Sequence, residues 1–371
     1  MFDFLRRHRL KLVVSVLLSL GVIYTAEHNG IEIIPAARSF STVRWGMVAF
    51  YLPVLLAMMW FRSVRWRFLL RPIIEVPRQQ LVAVSFVGFM AIVLLPFRLG
   101  ELVRPYLMHM RSNDPRTGRR ALTMTAATSS VVAERIIDGV FLSVLLAIVL
   151  VFVPTVHPLP ERVVGLPVSV AQVRAAGFVM LGVFVSALAT IAAFYFMRSF
   201  MQRAIRAIVG KVSTKLADKI ADFAGHAADG LHVFRRGRDA LGYLAETTLY
   251  WALTTGGLWL VGVACGVVHA DGSSLTFPEA CGLIGLLGVT MLIPAPPGQI
   301  GVFQLGLYAG MTMYVPSVIV TGPGAAYVFL IYVSQLVVQI LLGVWGVFAI
   351  GGTHDLREAL ERDQSAQTRS T

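Results

Sequence analysis

Long apolar runs separated by short polar breaks organise this chain. The runs cover residues 10–26, 43–61, 81–95, 121–153, 170–197, 241–268, 280–293, 300–315 and 325–350. A helix that crosses a bilayer needs about 20 mainly apolar residues at 1.5 Å rise each. Three of the runs fall short of that. As a helix, 81–95 would extend only about 22 Å against a hydrocarbon core of roughly 30 Å. Pro96 then ends it before the polar stretch Arg98-Leu-Gly-Glu-Leu-Val-Arg104. Runs 280–293 and 300–315 flank Pro294-Ala-Pro-Pro-Gly-Gln-Ile-Gly301, whose prolines and glycines cannot continue a helix. The pattern predicts an all-α membrane bundle with about six full crossings and two re-entrant hairpins, near 81–110 and 280–315.

Charge decides how this bundle is threaded. Of 32 Lys and Arg residues, twenty-five fall on one side of the predicted topology and four on the other. The remaining three, Arg98, Arg104 and Arg135, lie at membrane depth. Basic loops stay inside, so both termini are expected in the cytoplasm of a bacterial inner membrane. The count works only if each hairpin enters and leaves on one side, the first from the cytoplasm and the second from the opposite face. That is an inverted repeat, and Pro96-x-x-x-Gly100 and Pro297-x-x-x-Gly301 are its trace, aligning Arg98 with Gln299. The chain therefore reads as one transmembrane domain over 1–350 and a polar cytoplasmic tail over 351–371.

Composition agrees: 56% of residues are hydrophobic, 14% are charged and mean hydropathy is +0.73, which excludes a soluble globular or disordered chain. A net charge of +12 then points to anionic lipid headgroups before nucleic acid. Within 198–238, Ile205, Ile208, Val212, Leu216 and Ile220 recur at helical spacing among Arg206, Lys211, Lys215 and Lys219. The stripe fits a basic amphipathic helix on the inner surface or one packed on the bundle's own loops. Arg65-Trp66, with Trp60, reads as an aromatic and basic belt at the membrane boundary.

Ionisable groups at membrane depth cost about 2.5–3.5 kcal/mol each, so a cluster of them needs partners or a purpose. Glu101 lies three residues from both Arg98 and Arg104, the spacing at which helical side chains meet. Glu134, Arg135 and Asp138 share one stretch of the third long span, with Glu134 and Asp138 one turn apart. One reading has Arg98 and Arg104, helped by Arg135, holding an anionic phosphate while the acids orient them, because the guanidinium fork matches phosphate. Helices restarting near Gly100 and Ile300 would add their N-terminal dipoles. The other reading is a neutralised salt-bridge cluster that pins the broken helix. The uncharged second tip, Pro297, Gly298, Gln299, Gly301 and Gln304, would contribute backbone dipoles and amides, or only break the helix.

Enzyme signatures are missing from the sequence. It has no HExxH, no paired His or Cys for a metal, no Walker A loop, no GxGxxG after a strand and no GxSxG elbow. No catalytic residue, metal or cofactor is expected.

Pro96-Phe-Arg-Leu-Gly-Glu-Leu-Val-Arg104, then Glu134-Arg-Ile-Ile-Asp138, then Pro296-Pro-Gly-Gln-Ile-Gly-Val-Phe-Gln304, together with Arg65-Trp66, resemble the lysylphosphatidylglycerol synthase transmembrane region, the flippase-like domain family. The likeness spans about residues 10–350. It implies a protein that moves a polar- or anionic-headed lipid between leaflets. In some members this region is joined to an aminoacyl-transferase domain; only about twenty polar residues follow Ile350 here, so synthase activity is not expected. Where the family often ends its third motif in Glu, this chain has Gln304, which removes an acid from that position. The competing expectation is a non-transporting accessory that docks an enzyme of a hopanoid or polyprenyl lipid pathway through 198–238. A proton-coupled solute carrier using Glu101, Glu134 and Asp138 is a third.

Overall fold

The computed structural model describes residues 34–112, 122–156, 170–208, 237–293 and 296–351, with isolated positions between them. The first apolar run, most of the amphipathic stretch beyond Ile208 and the tail after Gly351 lie outside the described residues, as do the side chains of Pro96, Phe97 and Arg98.

Each predicted run within the described residues is a helix, with ends shifted by a few residues. Helix α1 spans Trp45–Val64 and continues through the short α2, Trp66–Leu70. The first hairpin is α3, Arg78–Leu94, a tight 3-10 tip at Pro96–Leu102, and α4, Val103–Ser112. Long helices α5, Met124–Phe152, and α6, Val170–Phe196, follow, and then the surface helix α7, Arg198–Ile208. The second half repeats the plan. Helix α8, Gly237–Cys265, leads into α9, Phe277–Thr290, the tip Pro297–Gln299, and α10, Val302–Met311. After one short turn, α11, Ser317–Thr321, the last long helix α12 spans Pro323–Ala349.

Local chemistry sets the breaks. Thr123 caps α5 by accepting from the Ala126 N–H, and Thr276 with Glu279 forms a capping box that starts α9. Pro96 and Pro297 each open their tip at a position where a missing N–H costs nothing. Gly100 returns so close to α3 that a β-carbon there would stand 2.1 Å from the Ala91 carbonyl carbon.

The packing displays a two-fold exchange of halves. Helices α1 and α8 pack together and antiparallel: the Arg44 N–H donates to the Ala264 carbonyl at one end, and Arg71 meets Asp239 at the other. The first leg of each hairpin packs on the long helix that closes the other half, α3 on α12 and α9 on α5. Gly343 faces Met90 in the first of these seams, and Gly285 faces Leu146 in the second. Because the related helices α1 and α8 run in opposite directions, the hairpins that follow them open toward opposite ends, and their tips touch in the middle. This is the inverted repeat expected from the proline and glycine spacing.

Four described helices are long and apolar enough to cross a membrane: Trp45–Leu70, Met124–Phe152, Gly237–Cys265 and Pro323–Ala349. Their outward residues, such as Val151, Phe152, Leu341 and Phe348, are exposed apolar groups of the kind lipid would cover. Between α8 and α9, His269 bonds Glu279 at 2.8 Å and the Ser273 carbonyl at 3.0 Å. Burial disfavours the charged imidazole, but these bonds outweigh it and raise its pKa above the ordinary value.

Candidate functional site

Two parts of the molecule concentrate its intramembrane charge, and they are adjacent. The first is a buried ion network. Arg65, at the junction of α1 and α2, donates to both oxygens of Asp138 at 2.5 and 2.6 Å and to Glu134 at 3.0 Å. Arg104 of α4 donates to Glu134 at 3.0 Å, so this carboxylate accepts from two guanidinium groups brought in by different elements. The Arg104 guanidinium also lies 3.9 Å over the Trp66 ring, whose indole N–H donates to Ser130 at 3.0 Å. The Trp251 indole N–H reaches Asp138 at 3.3 Å. Arg65, Trp66 and Glu134 are each 0% exposed, and Arg104 is 1% exposed.

This corrects the expectation of a boundary belt at Arg65-Trp66. The pair lies in the core because α2 packs against α5, where Glu134 and Asp138 present two carboxylates one turn apart. Periodicity along α1 could not reveal that, since the partners lie about seventy residues away in sequence.

The second part is a cavity of about 370 Å³ beneath the meeting hairpin tips. Its polar lining includes Arg62, Glu101, Arg135 and Asp138 together with Gln299 from the second tip and Gln335 and Gln339 from α12. The remainder is mostly apolar, with Leu142, Phe184, Leu287 and Phe303 among the lining. Arg135 approaches Asp138 at 3.7 Å and keeps a quarter of its side chain exposed.

Arg62 is a member that sequence reasoning missed. It stacks 4.1 Å from the Phe89 ring, its Nε has no hydrogen-bond partner, and among the described residues no carboxylate lies within ion-pair distance of it. The available signal is its position three residues before Arg65, one helical turn away. Together Arg62, Arg65, Arg104 and Arg135 set four cations against Glu101, Glu134 and Asp138. The cavity lining itself carries two of each sign, Arg62 and Arg135 with Glu101 and Asp138, and of these arginines Arg62 has no carboxylate at ion-pair distance among the described residues.

The expected site residues divide between the two parts. Glu101, Arg135, Asp138, Gly298 and Gln299 line the cavity. Arg104 and Glu134 do not line it and belong to the ion network. Gly100 is buried against the α3 backbone. The Arg98 side chain lies outside the described residues. Pro297 opens the second tip, where Gly298 and Gln299 both adopt the left-handed region, at φ +73° and +59°. That conformation costs a non-glycine residue about 1–2 kcal/mol; the Tyr332 hydroxyl, donating to the Gly298 carbonyl at 2.9 Å, helps to hold it. Gln304 is buried, and its amide oxygen accepts from the Gly301 N–H at 2.8 Å, locking the start of α10. A neutral amide can therefore occupy a position where the family often has an acid.

Two opposed hairpins around a charged, partly apolar cavity define a multi-pass helical membrane protein of the inverted-repeat class. The chain matches the family described as Lysylphosphatidylglycerol synthase TM region over residues 12–343 and belongs to it. No curated protein and no solved structure matches the chain.

Proposed function

We propose that the protein moves a lipid with an anionic, phosphate-bearing headgroup between leaflets of a bacterial inner membrane, with both termini in the cytoplasm and no enzymatic step of its own. The observation that carries this reading is the cavity between the tips. It is lined by two arginines, of which only Arg135 has a carboxylate at ion-pair distance among the described residues, by Glu101 and Asp138, and otherwise mainly by amide and hydrocarbon. A volume near 370 Å³ is within the common range of small-molecule sites, about 300–1,000 Å³. It accommodates a headgroup while the acyl chains stay in lipid.

Arg62 and Arg135 would face the phosphate, Glu101 and Asp138 would hold Arg135 in place, and Gln299, Gln335 and Gln339 would contact polar groups beyond the phosphate. The Arg65–Glu134–Arg104 network would serve as the rigid wall on which these residues are mounted. Rocking one half against the other about the α1–α8 contact would expose the cavity to each leaflet in turn.

Reconstitution into vesicles carrying fluorescent phosphatidylglycerol tests this. The wild-type protein should transfer label across the bilayer, and Arg62→Gln/Arg135→Gln should slow transfer by about tenfold or more, as expected when roughly 1.4 kcal/mol of headgroup interaction is lost. Transfer no faster than in protein-free vesicles, or an unaltered rate in the double variant, would reject the reading.

A further inference from the structure

Away from the central cavity, at the end of the molecule where the α1–α2 and α3 segments meet the start of α8, lies a larger cleft of about 860 Å³. Arg67, Arg71, Arg78 and Arg238 line it, with Glu75 and Asp239 as the acids. None of these residues borders the central cavity.

The four guanidinium groups are not equivalent. Arg67 is held by Glu246 at 2.5 Å and Arg71 by Asp239 at 2.7 Å, so α8 carboxylates fix the direction of both side chains. Arg78, the first residue of α3, and Arg238, the second of α8, are exposed, and among the described residues neither has a carboxylate within ion-pair distance. Two oriented cations and two uncommitted ones thus converge from three elements, in excess over the acids that line the cleft. A guanidinium fork matches a phosphate's oxygens.

The apolar residues indicate where that phosphate comes from. Leu241, 70% exposed, and Ala245, also exposed, give the cleft an apolar margin above the buried Phe68 and Ile74. A soluble anion gains nothing from such a margin; a lipid covers it with its glycerol and upper acyl carbons. In the orientation proposed above, on which this inference rests, the basic end of the bundle lies level with the anionic headgroups of the inner leaflet.

We propose that this cleft is a second lipid site, which holds the phosphate of an anionic phospholipid at the membrane surface independently of the central cavity. The test uses the delipidated full-length protein in detergent, titrated with phosphatidylglycerol or phosphatidylcholine, with bound lipid counted by native mass spectrometry. The wild type should retain phosphatidylglycerol in preference to phosphatidylcholine. Arg78→Gln/Arg238→Gln should weaken one phosphatidylglycerol adduct by about tenfold, which at 25 °C corresponds to the loss of roughly 1.4 kcal/mol. Arg62→Gln/Arg135→Gln should keep that adduct, which separates this site from the cavity. Both replaced cleft arginines are exposed and, among the described residues, have no carboxylate at ion-pair distance, so thermal unfolding should match the wild type and confirm the fold. Phosphatidylglycerol binding by Arg78→Gln/Arg238→Gln equal to that of the wild type would overturn the proposal. So would displacement of the lipid by an equal concentration of inorganic phosphate, which would make the cleft a site for soluble anions.

Discussion

Glu134 shows how much one side chain can hold together here. It accepts from Arg65 and Arg104 with no exposure to solvent, and both arginines are themselves buried. Removing one partner of a buried ion network leaves its cations uncompensated, a loss of about 3–5 kcal/mol. Glu134→Ala should therefore lower stability by that order in detergent unfolding, and a variant as stable as the wild type would show that the network carries no structural weight. Arg135 is in a different position. Among the described residues its ion pair is a long one, 3.7 Å to Asp138, and a quarter of its side chain is exposed, so its replacement should slow lipid movement and leave the fold intact. Sequence spacing brought out Glu101, Arg135 and Asp138 as a charged group but did not separate cavity-facing from wall-forming residues. Glu134 and Asp138 occupy one helical face, yet Asp138 borders the cavity and Glu134 is closed off by α4, a difference that spacing along α5 cannot express.

The hairpin tips depend on backbone approach more than on side chains. Gly100 permits the first tip to fold back on α3, and an added β-carbon would meet the main chain at Ala91 and Ile92, which cannot yield as a side-chain end can. Gly100→Ala should abolish docking of the tip, costing about 3 kcal/mol or more, beyond ordinary overpacking. Gly182, within α6, has open space around its β-carbon position; Gly182→Ala should be neutral or stabilise by about 0.5–1 kcal/mol through helix propensity. Comparing folded yield after detergent extraction distinguishes the two, and equal yields would remove the steric argument for the first tip. The helices themselves were readable in the sequence because each apolar run is long and bounded by Pro, Gly or charge. That the two glycines aligned by sequence do different work was not readable. Gly100 serves close packing, whereas Gly301 supplies a positive φ of 84° at the start of α10.

Across the whole molecule, the uneven distribution of Lys and Arg sets one basic end against an end poor in basic residues. In intact cells, a membrane-impermeant maleimide should label Ser274→Cys, in the connection between α8 and α9, and should reach Gln79→Cys, at the start of α3, only after the membrane is opened. The native Cys265 and Cys281 are buried, so background should be low. The reverse labelling pattern would invert the proposed orientation. Hydrophobic run length, proline and glycine breaks and the bias of basic loops were enough to define a helical membrane bundle with two hairpins, because lipid requires every spanning backbone to satisfy its own hydrogen bonds and so admits few alternatives. Placement of Arg65 in the core, Arg62 at the cavity and four arginines around a surface cleft depended on helices far apart in the chain being folded against one another. Ion pairs and cavities are properties of that assembly, since a charge's role is set by which remote carboxylate, ring or open space it meets.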